Sequence, residues 1–262
     1  MLFARFLHDG RQSYGVVEGE RVRPLRGDIF GRHRVGRDSI PLAAVRLLAP
    51  LRPGSILAAA VNYPSHVASG GAVLGEARAP EKPELFLKPP SAVIGPEEPI
   101  VLPPDAGRVD YEGELVAVIG QPCRRVSPAQ ALEFVFGYTC GNDVSARHWQ
   151  RGDLQWWRAK GSDTFAPIGP LIATGLDPAG LELRTRLNGR EVQRASTSSL
   201  IFSLAELVSF ASHAITLQPG DLVFTGTPGE TAALSAGDVV EVEIEGIGVL
   251  RNPVVGPDAT VG

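Results

Sequence analysis

Two glutamates on an otherwise apolar strand constrain this chain more than any other feature. Residues 110–119 read Asp-Tyr-Glu-Gly-Glu-Leu-Val-Ala-Val-Ile, which puts Glu112 and Glu114 two positions apart. Side chains at i and i+2 of a strand point to the same side, so both carboxylates should face one spot while Leu115 and Ile119 face the other way. Two like charges in a buried site repel strongly unless a cation lies between them or one carboxylate binds a proton.

Three explanations of this pair stay open: a metal site, a coupled acid/base dyad, and a solvent-facing strand edge. Asp143 favours the metal, since it follows an apolar strand-like run and precedes a helix-like segment. Asp143 could also be only the N-cap of that helix. If a helix begins there, Asp143, Arg147 and Gln150 fall at i, i+4 and i+7 and share one face. An acid, a base and an amide would then line one wall of the site.

Two further segments complete a pattern. Residues 158–170 read Arg-Ala-Lys-Gly-Ser-Asp-Thr-Phe-Ala-Pro-Ile-Gly-Pro, and residues 217–228 read Leu-Gln-Pro-Gly-Asp-Leu-Val-Phe-Thr-Gly-Thr-Pro. Together with the Glu-x-Glu strand and the later Asp143, they resemble the fumarylacetoacetate hydrolase superfamily over about residues 50–255. The resemblance implies a mixed β-sandwich or roll and a homodimer.

The ligand chemistry favours a hard cation. Glu112, Glu114 and Asp143 offer carboxylate oxygens with no clustered Cys or His, which favours Mg²⁺ or Mn²⁺, with Ca²⁺ tolerated, over Zn²⁺. Three protein ligands leave positions at which a 2-oxo carboxylate could chelate. The expected substrate is therefore a small anionic 2-oxo acid.

The resemblance also implies the residues that hold this anion. Lys160 and Arg147 match positions close to the substrate, Gln150 matches a polar neighbour, and Thr227 resembles a residue that binds the substrate carboxylate. Surface charge is the alternative for Lys160 and Arg147, and a plain turn is the alternative for Thr227. Lysine occurs at only three positions in the chain, which adds interest to Lys160.

A last motif departs from the family. Residues 62–69, Asn-Tyr-Pro-Ser-His-Val-Ala-Ser, are similar to the family's Asn-Tyr-x-x-His-x-x-Glu, in which His and Glu activate water. The resemblance makes Tyr63 a substrate-binding residue and His66 a catalytic one. Ser69 replaces the carboxylate that would orient His66. Glu76, in a glycine-rich stretch at 69–78 that is typical of a lid, could reach back to it.

These features predict a divalent-metal-dependent hydrolase that cleaves a carbon–carbon bond in an acylpyruvate-like 2-oxo acid, in the catabolism of aromatic compounds. The first alternative is an isomerase, tautomerase or decarboxylase of a 2-hydroxy-dienedioate or an oxaloacetate-like acid with the same metal site. It needs less of a water-activating dyad. The second is a non-catalytic protein that binds a metal or a keto acid.

Composition is that of an ordinary globular protein. The chain has 262 residues, 44% hydrophobic and 21% charged, enough for one large core. A net charge of −4 without a basic run argues against a nucleic-acid partner. No apolar stretch or leader predicts a membrane span or export, so the cytoplasm is the expected location. Cys123 and Cys140 are expected to be buried free thiols.

Uneven strand spacing favours a β-rich α+β fold over regular β-α alternation. We expect a small N-terminal domain at 1–49, ending in a helix-like piece at 40–48, and a catalytic domain at 50–262. Capping boxes predict helices after Ser203, with Glu206, and after Ser127, with Gln130. The strands are expected at 55–61, 84–87, 112–119, 134–140, 169–173, 181–187, 221–225 and 239–244.

Overall fold

The computed structural model describes residues 1–69 and 79–259; Glu76 and most of the expected lid lie outside these ranges. The strands are β1 Leu2–His8, β2 Arg11–Glu18, β3 Arg21–Gly27, β4 His33–Val35, β5 Ile40–Pro41, β6 Arg46–Leu47, β7 Ile56–Ala59, β8 Leu85–Lys88, β9 Val93–Ile94, β10 Ile100–Val101, β11 Val109–Asp110, β12 Gly113–Ile119, β13 Val135–Asn142, β14 Ser145–Ala146, β15 Ala166–Ala173, β16 Glu182–Leu187, β17 Arg190–Ser196, β18 Leu222–Phe224, β19 Val239–Ile244 and β20 Gly248–Val255. The α-helices are α1 Pro64–Ala68, α2 Pro128–Ala131, α3 Arg147–Gly152, α4 Trp157–Gly161 and α5 Leu204–Ala214. Short 3-10 helices lie at Leu42–Ala44, Pro90–Ala92, Leu132–Phe134 and Thr197–Ser199.

The largest sheet has β12 near its centre, in the order β4-β3-β2-β1-β15-β13-β12-β18-β7-β8. On one face of β12, Leu115 and Ile119 pack in a core shared with a second sheet and with α5. On its other face, Val116 and Val118 pack in a separate core with the N-terminal strands. The strand expected at 112–119 is confirmed, and so is its burial.

The second sheet has the order β10-β20-β19-β16-β17. Along β19, Val240, Val242 and Ile244 are buried, while the residues between them are partly exposed. This alternation is that of a strand with one face on the core. Two packed sheets with segregated helices make the fold β-rich α+β, as expected.

Helix α5 covers one side of the shared core. The Ser203 hydroxyl accepts a hydrogen bond from the Glu206 N–H, and the Glu206 carboxylate accepts one from the Ser203 N–H, so the predicted capping box is confirmed. Its apolar stripe is buried. No helix in residues 1–69 or 79–259 is long and apolar enough to span a membrane.

The N-terminal strands continue the large sheet, because β1 pairs antiparallel with β15 through Leu2 with Ala173 and Phe3 with Ile172. A division of the chain near residue 49 stays a prediction. The helix-like interpretation of residues 40–48 is wrong: β5 pairs with β3, and β6 pairs with β1. A helix of nine residues has little stability of its own, whereas pairing with β1 and β3 gives the backbone N–H and C=O groups hydrogen-bond partners.

The second capping box is also wrong. The Ser127 hydroxyl donates to the Gln130 side-chain oxygen at 2.9 Å instead of capping a backbone N–H. Helix α2 is only four residues long and passes into the 3-10 turn Leu132–Phe134. Side-chain bonding within the first turn has replaced the reciprocal bonds of a box.

Candidate metal centre and active site

Three buried carboxylates meet where β12 begins and β13 ends. Glu112 immediately precedes β12, Glu114 lies within it, and Asp143 follows β13. The Asp143 N–H donates to the Glu112 carbonyl at 2.8 Å, and the Glu112 N–H donates to the Asn142 side chain at 2.8 Å. One oxygen from each carboxylate lies within 4.8 Å of the others. Strand pairing thus brings together the three acids that the sequence proposed as ligands.

Glu114 supplies the test of whether this cluster fits a cation. Its Oε2 accepts a hydrogen bond from the Gly226 N–H at 2.6 Å, but its Oε1 is buried and has no hydrogen-bond partner among residues 1–69 and 79–259. Burial raises the pKa of Glu114 well above its usual range, and the negative charges of Asp143 and Glu112 raise it further. An unpartnered carboxylate oxygen among two other acids suits a divalent metal with oxygen ligands. The cluster therefore fits a divalent metal.

The N–H that binds Glu114 comes from a glycine that cannot be replaced freely. Gly226 has φ of +98°, and a Cβ at this position would lie 2.8 Å from the Asn62 Cβ. Hydrogen bonds hold the Asn62 side chain in place. Its oxygen accepts one from the Phe202 N–H, and its Nδ2 donates one to the Thr225 carbonyl. Asn62 therefore packs against the turn at Gly226, whose N–H binds Glu114. Only glycine at position 226 allows this close approach.

Two lysines neutralise the carboxylates. Lys160 Nζ lies 2.7 Å from Glu112 Oε2 and 2.7 Å from Asp143 Oδ2, and the Lys88 ammonium donates to Asp143 Oδ1. Burial opposes the charge of Lys160, but Asp143 and Glu112 hold its pKa above the ordinary value. For Lys88, burial outweighs the pull of Asp143 and lowers the pKa. The sequence singled out Lys160 but not Lys88.

Arg147 links Glu112 to a fourth acid, Asp110. Its Nη2 donates to Glu112 Oε1, its Nε lies 2.9 Å from Asp110 Oδ2, and its Nη1 lies 2.8 Å from Gln150 Oε1. Burial raises the pKa of Glu112, but the charges of Arg147 and Lys160 outweigh this and leave it below its usual range. Glu112 is therefore held as a carboxylate.

The expectation of a helix that begins at Asp143 is wrong. Helix α3 begins at Arg147 with Ala146 as its N-cap, so Asp143 caps nothing. Pairing of β14 with β11 keeps residues 145–146 extended, and this pairing excludes a helical start at Asp143. Arg147 and Gln150 still contact each other, while Asp143 reaches the site through its lysine contacts.

Thr227 lies beside the strand that carries the glutamates. Its hydroxyl donates to the Gly113 carbonyl at 2.9 Å and accepts from Gln193 Nε2 at 2.9 Å. The hydroxyl proton is therefore committed within the protein. Gln193 was absent from the sequence prediction, since a single polar residue on a strand carries no recognisable signal.

His66 is held by a backbone carbonyl. Its Nδ1 lies 2.7 Å from the Gly229 oxygen, and the Ser69 hydroxyl donates to the same oxygen at 3.1 Å. Because a carbonyl can only accept, Nδ1 must carry a proton, and in the neutral imidazole the lone pair is then on Nε2. In residues 1–69 and 79–259, no carboxylate forms a hydrogen bond with the His66 ring. Ser69 thus occupies the helix end without restoring a dyad.

Tyr63 precedes this short helix, and its hydroxyl is buried without a hydrogen-bond partner. Burial raises the pKa of Tyr63 far above the ordinary value, and the nearby Glu114 raises it further. A neutral, unpartnered hydroxyl close to Glu114 is a donor or acceptor available to a bound molecule. The structure therefore places Tyr63 beside the predicted ligands.

Two protein-family models match the sequence of this chain. A family model described as fumarylacetoacetate (FAA) hydrolase C-terminal matches residues 55–255, and another, described as Rv2993c-like N-terminal, matches residues 1–50. The chain belongs to the fumarylacetoacetate hydrolase family. The resemblance stated from the motifs is thereby confirmed.

Members of this family with similar sequences or structures carry different activities. A structure of 5-carboxymethyl-2-hydroxymuconate delta-isomerase from Mycobacterium smegmatis is 46% identical, with a TM-score of 0.90 over 98% of this chain and 100% of that one. Oxaloacetate tautomerase Fahd2a of Rattus norvegicus is 37% identical over 82% of this chain and 71% of its own length. Maleylpyruvate hydrolase from Sphingobium sp. SYK-6, solved with manganese(II) and pyruvate, is 31% identical, with a TM-score of 0.79 over 98% and 99% of the two chains.

Proposed function

We propose that this protein is a divalent-metal-dependent isomerase or tautomerase of a small 2-oxo acid, moving a proton on carbon next to the 2-oxo group. The observation that carries the proposal is the environment of His66. Its Nδ1 is bonded to the neutral Gly229 carbonyl, and Ser69 stands where the family pattern has a carboxylate. The sequence favoured hydrolysis, and this geometry favours its first alternative.

The proposed metal ligands are Glu112, Glu114 and Asp143, and we propose Mg²⁺ or Mn²⁺ as the ion. Their oxygens and the unpartnered Glu114 Oε1 support a hard cation. A bound ion would act as a Lewis acid that stabilises negative charge developing on the substrate oxygen.

We propose that the cations beside these acids bind the substrate anion. Lys160 and Arg147 are buried and charged. Lys88 contacts Asp143 Oδ1, whereas Lys160 contacts Asp143 Oδ2. Four carboxylates, including Asp110, need such compensation before the site can accept another negative charge. Gln150, which accepts from Arg147, keeps the guanidinium in place. The substrate-binding roles of Tyr63 and Thr227 belong to the same proposal.

His66 is the proposed proton carrier. Its Nε2 lone pair can take a proton from carbon and return it elsewhere, which is all that an isomerisation or tautomerisation requires. Activation of water for hydrolysis requires a stabilised imidazolium, and a carboxylate partner stabilises it best. The carbonyl partner orients the ring but carries no full charge, and the Glu112 carboxylate acts on His66 through its charge, without a hydrogen bond among the described residues. His66 is therefore better suited to moving protons than to hydrolysis.

Hydrolysis of an acylpyruvate-like carbon–carbon bond is the second candidate. It is supported by the similarity to a maleylpyruvate hydrolase that was solved with manganese(II) and pyruvate. Decarboxylation of an oxaloacetate-like acid would use the same metal and cations. A non-catalytic protein that binds a metal or a keto acid is the remaining alternative.

The test follows ultraviolet absorbance of acylpyruvates, oxaloacetate and 2-hydroxy-dienedioates, with products identified. We expect absorbance changes without carbon–carbon cleavage, dependent on Mg²⁺ and abolished by chelator and by Glu114→Gln. The exposed Glu245→Gln is the matched control and should retain activity. Metal-dependent release of pyruvate from an acylpyruvate would instead establish the hydrolase.

We propose a homodimer as well. Leu87 on β8, at the end of the large sheet, is 62% exposed, and Leu154 and Trp157 are 100% and 70% exposed. The Phe86 and Trp156 rings, 5.4 Å apart, bring these two segments close together. Light scattering should find a dimer that becomes a monomer in Leu154→Asp; a dimer that survives this change contradicts the assignment. A cytoplasmic location and a role in aromatic catabolism also remain proposals.

A further inference from the structure

Gln193 joins the second sheet to the candidate site. It lies on β17 and is only 4% exposed. Its Oε1 accepts from the Gly113 N–H at 3.2 Å, and its Nε2 donates to the Thr227 hydroxyl at 2.9 Å and to the Pro228 carbonyl at 2.7 Å. Both ends of the amide are thus used by backbone and side chains next to the site.

The two sheets approach each other closely here. A Cβ on Gly113 would lie 2.1 Å from the Thr185 hydroxyl oxygen and 3.4 Å from Gln193 Oε1. Only a glycine between Glu112 and Glu114 leaves room for the Thr185 hydroxyl of the second sheet, next to the amide of Gln193. The contact is therefore built into the backbone of both sheets.

Gln193 and Ser65 bind opposite sides of one peptide. The Pro228 carbonyl accepts from Gln193 Nε2, and the Gly229 N–H of the same planar peptide unit donates to the Ser65 hydroxyl at 3.0 Å. The next carbonyl along the chain, that of Gly229, accepts from His66 Nδ1. Rotation of the Pro228–Gly229 peptide would therefore move the acceptor on which the His66 proton rests.

We propose that Gln193 is a positioning residue that fixes the tautomer and orientation of His66 through the Pro228–Gly229 peptide. Gln193 touches neither the carboxylate ligands nor the ring itself. It acts by keeping the Gly229 carbonyl opposite Nδ1, so that Nε2 keeps its lone pair. The catalytic consequence rests on the role proposed for His66, whereas the structural consequence does not.

The test reads the tautomer directly. The protein is labelled with ¹⁵N-histidine, and the ring nitrogens are observed at a pH about two units above the ordinary His pKa of 6.5, where imidazole is neutral. A His66→Gln sample assigns the His66 signals. The wild-type protein should show one tautomer, with the proton on Nδ1. Gln193→Met, of similar length but without hydrogen bonds, should shift His66 toward the other tautomer or an average of the two.

The matched control is another buried amide in the same sheet. Asn252 on β20 is 1% exposed and donates to the Gly95 and Glu98 carbonyls at 2.8 Å each, away from the site. Asn252→Leu should leave the His66 spectrum unchanged. Gln193→Leu repeats the test if Gln193→Met does not fold. A folded Gln193 variant with the wild-type tautomer, or an equal shift in Asn252→Leu, would overturn the proposal.

A second readout separates positioning from the proposed function. In Gln193→Met we expect kcat to fall about 10- to 100-fold, as for loss of an orienting partner, with Mn²⁺ affinity within about threefold of wild type. The backbone hydrogen bond from the Asp143 N–H to the Glu112 carbonyl keeps these two ligands together without Gln193. If the tautomer shifts but no substrate is turned over even by wild type, the proposed function fails and the positioning role stands.

Discussion

Lys88 donates a hydrogen bond to Asp143, and both side chains are completely shielded from solvent, at 0% exposure each. An ion pair at this depth is costly to break, because Asp143 would keep only its contact with Lys160. With the metal site proposed here, a bound divalent ion would share the neutralisation of Asp143 with Lys88 and Lys160. Metal binding and the stability of the metal-free protein should therefore be linked through this pair.

Lys88→Met should destabilise the metal-free protein by about 3 kcal/mol, the usual cost of removing one partner from a buried pair. For a chain of this size the melting temperature should fall by roughly 6 to 12 °C. Saturating Mn²⁺ should restore more stability to the variant than to wild type. Scanning fluorimetry with and without Mn²⁺ checks this. The exposed Lys82→Met is the control, and identical behaviour of the two variants would refute the prediction.

Glu114 should give the metal-free protein a characteristic pH dependence. Because its folded pKa is raised above 4.5, its contribution to stability is present at low pH and is lost as pH rises through the raised pKa. With chelator present, the unfolding free energy of wild type relative to Glu114→Gln should therefore decrease as pH rises above about 4.5. Urea titrations across pH measure the difference. A constant difference would show that Glu114 titrates normally.

Gly226→Ala should weaken Mn²⁺ binding as well as stability. Both the positive φ and the close Asn62 Cβ oppose a side chain, and relief of the clash must move the N–H away from Glu114. Gly237 has almost the same φ, +97°, but open space around it, so Gly237→Ala isolates the backbone strain of about 1–3 kcal/mol. Calorimetry should find weaker Mn²⁺ binding in the first variant alone. Equal Mn²⁺ affinity in both would separate the turn from the metal.

Ser69→Glu tests whether the missing carboxylate selects the reaction. Restoring it should raise hydrolysis of an acylpyruvate at least about 100-fold over Ser69→Gln, the lower end of the about 10²- to 10⁴-fold range for general-base assistance. Proton transfer should change little, because it needs only the oriented ring. Product analysis by chromatography measures both reactions. If cleavage is already fast in wild type and does not increase, His66 manages hydrolysis without a dyad.

The local pattern of the chain was enough to predict the cluster of three carboxylates but not its surroundings. Glu112 and Glu114 share a face by strand geometry alone, and their strand forms as expected. Lys88 reaches Asp143 across 55 residues of sequence, a contact that depends on how β8 is placed in the sheet. Gln193 of the second sheet contacts Gly113 and Thr227 of the large sheet and its following turn. The spacing of residues along the sequence does not predict such a contact between two sheets.

Tertiary pairing also overruled two local signals. Residues 40–48 have an apolar pattern compatible with a helix, but the edges of β1 and β3 offer them strand partners. Asp143 has the chemistry of an N-cap, yet pairing of β14 with β11 delays the helix to Arg147. In both places, long-range backbone hydrogen bonds outweigh short-range propensity.

The most direct test of the central claim is proton NMR of oxaloacetate and an acylpyruvate in D₂O with Mg²⁺ and the wild-type protein. We predict rapid exchange of the protons at the carbon next to the 2-oxo group, with intact carbon skeletons, lost on addition of chelator and in His66→Gln. Pyruvate formed by carbon–carbon cleavage at a rate equal to or above that exchange, or exchange that does not depend on the metal, would contradict it.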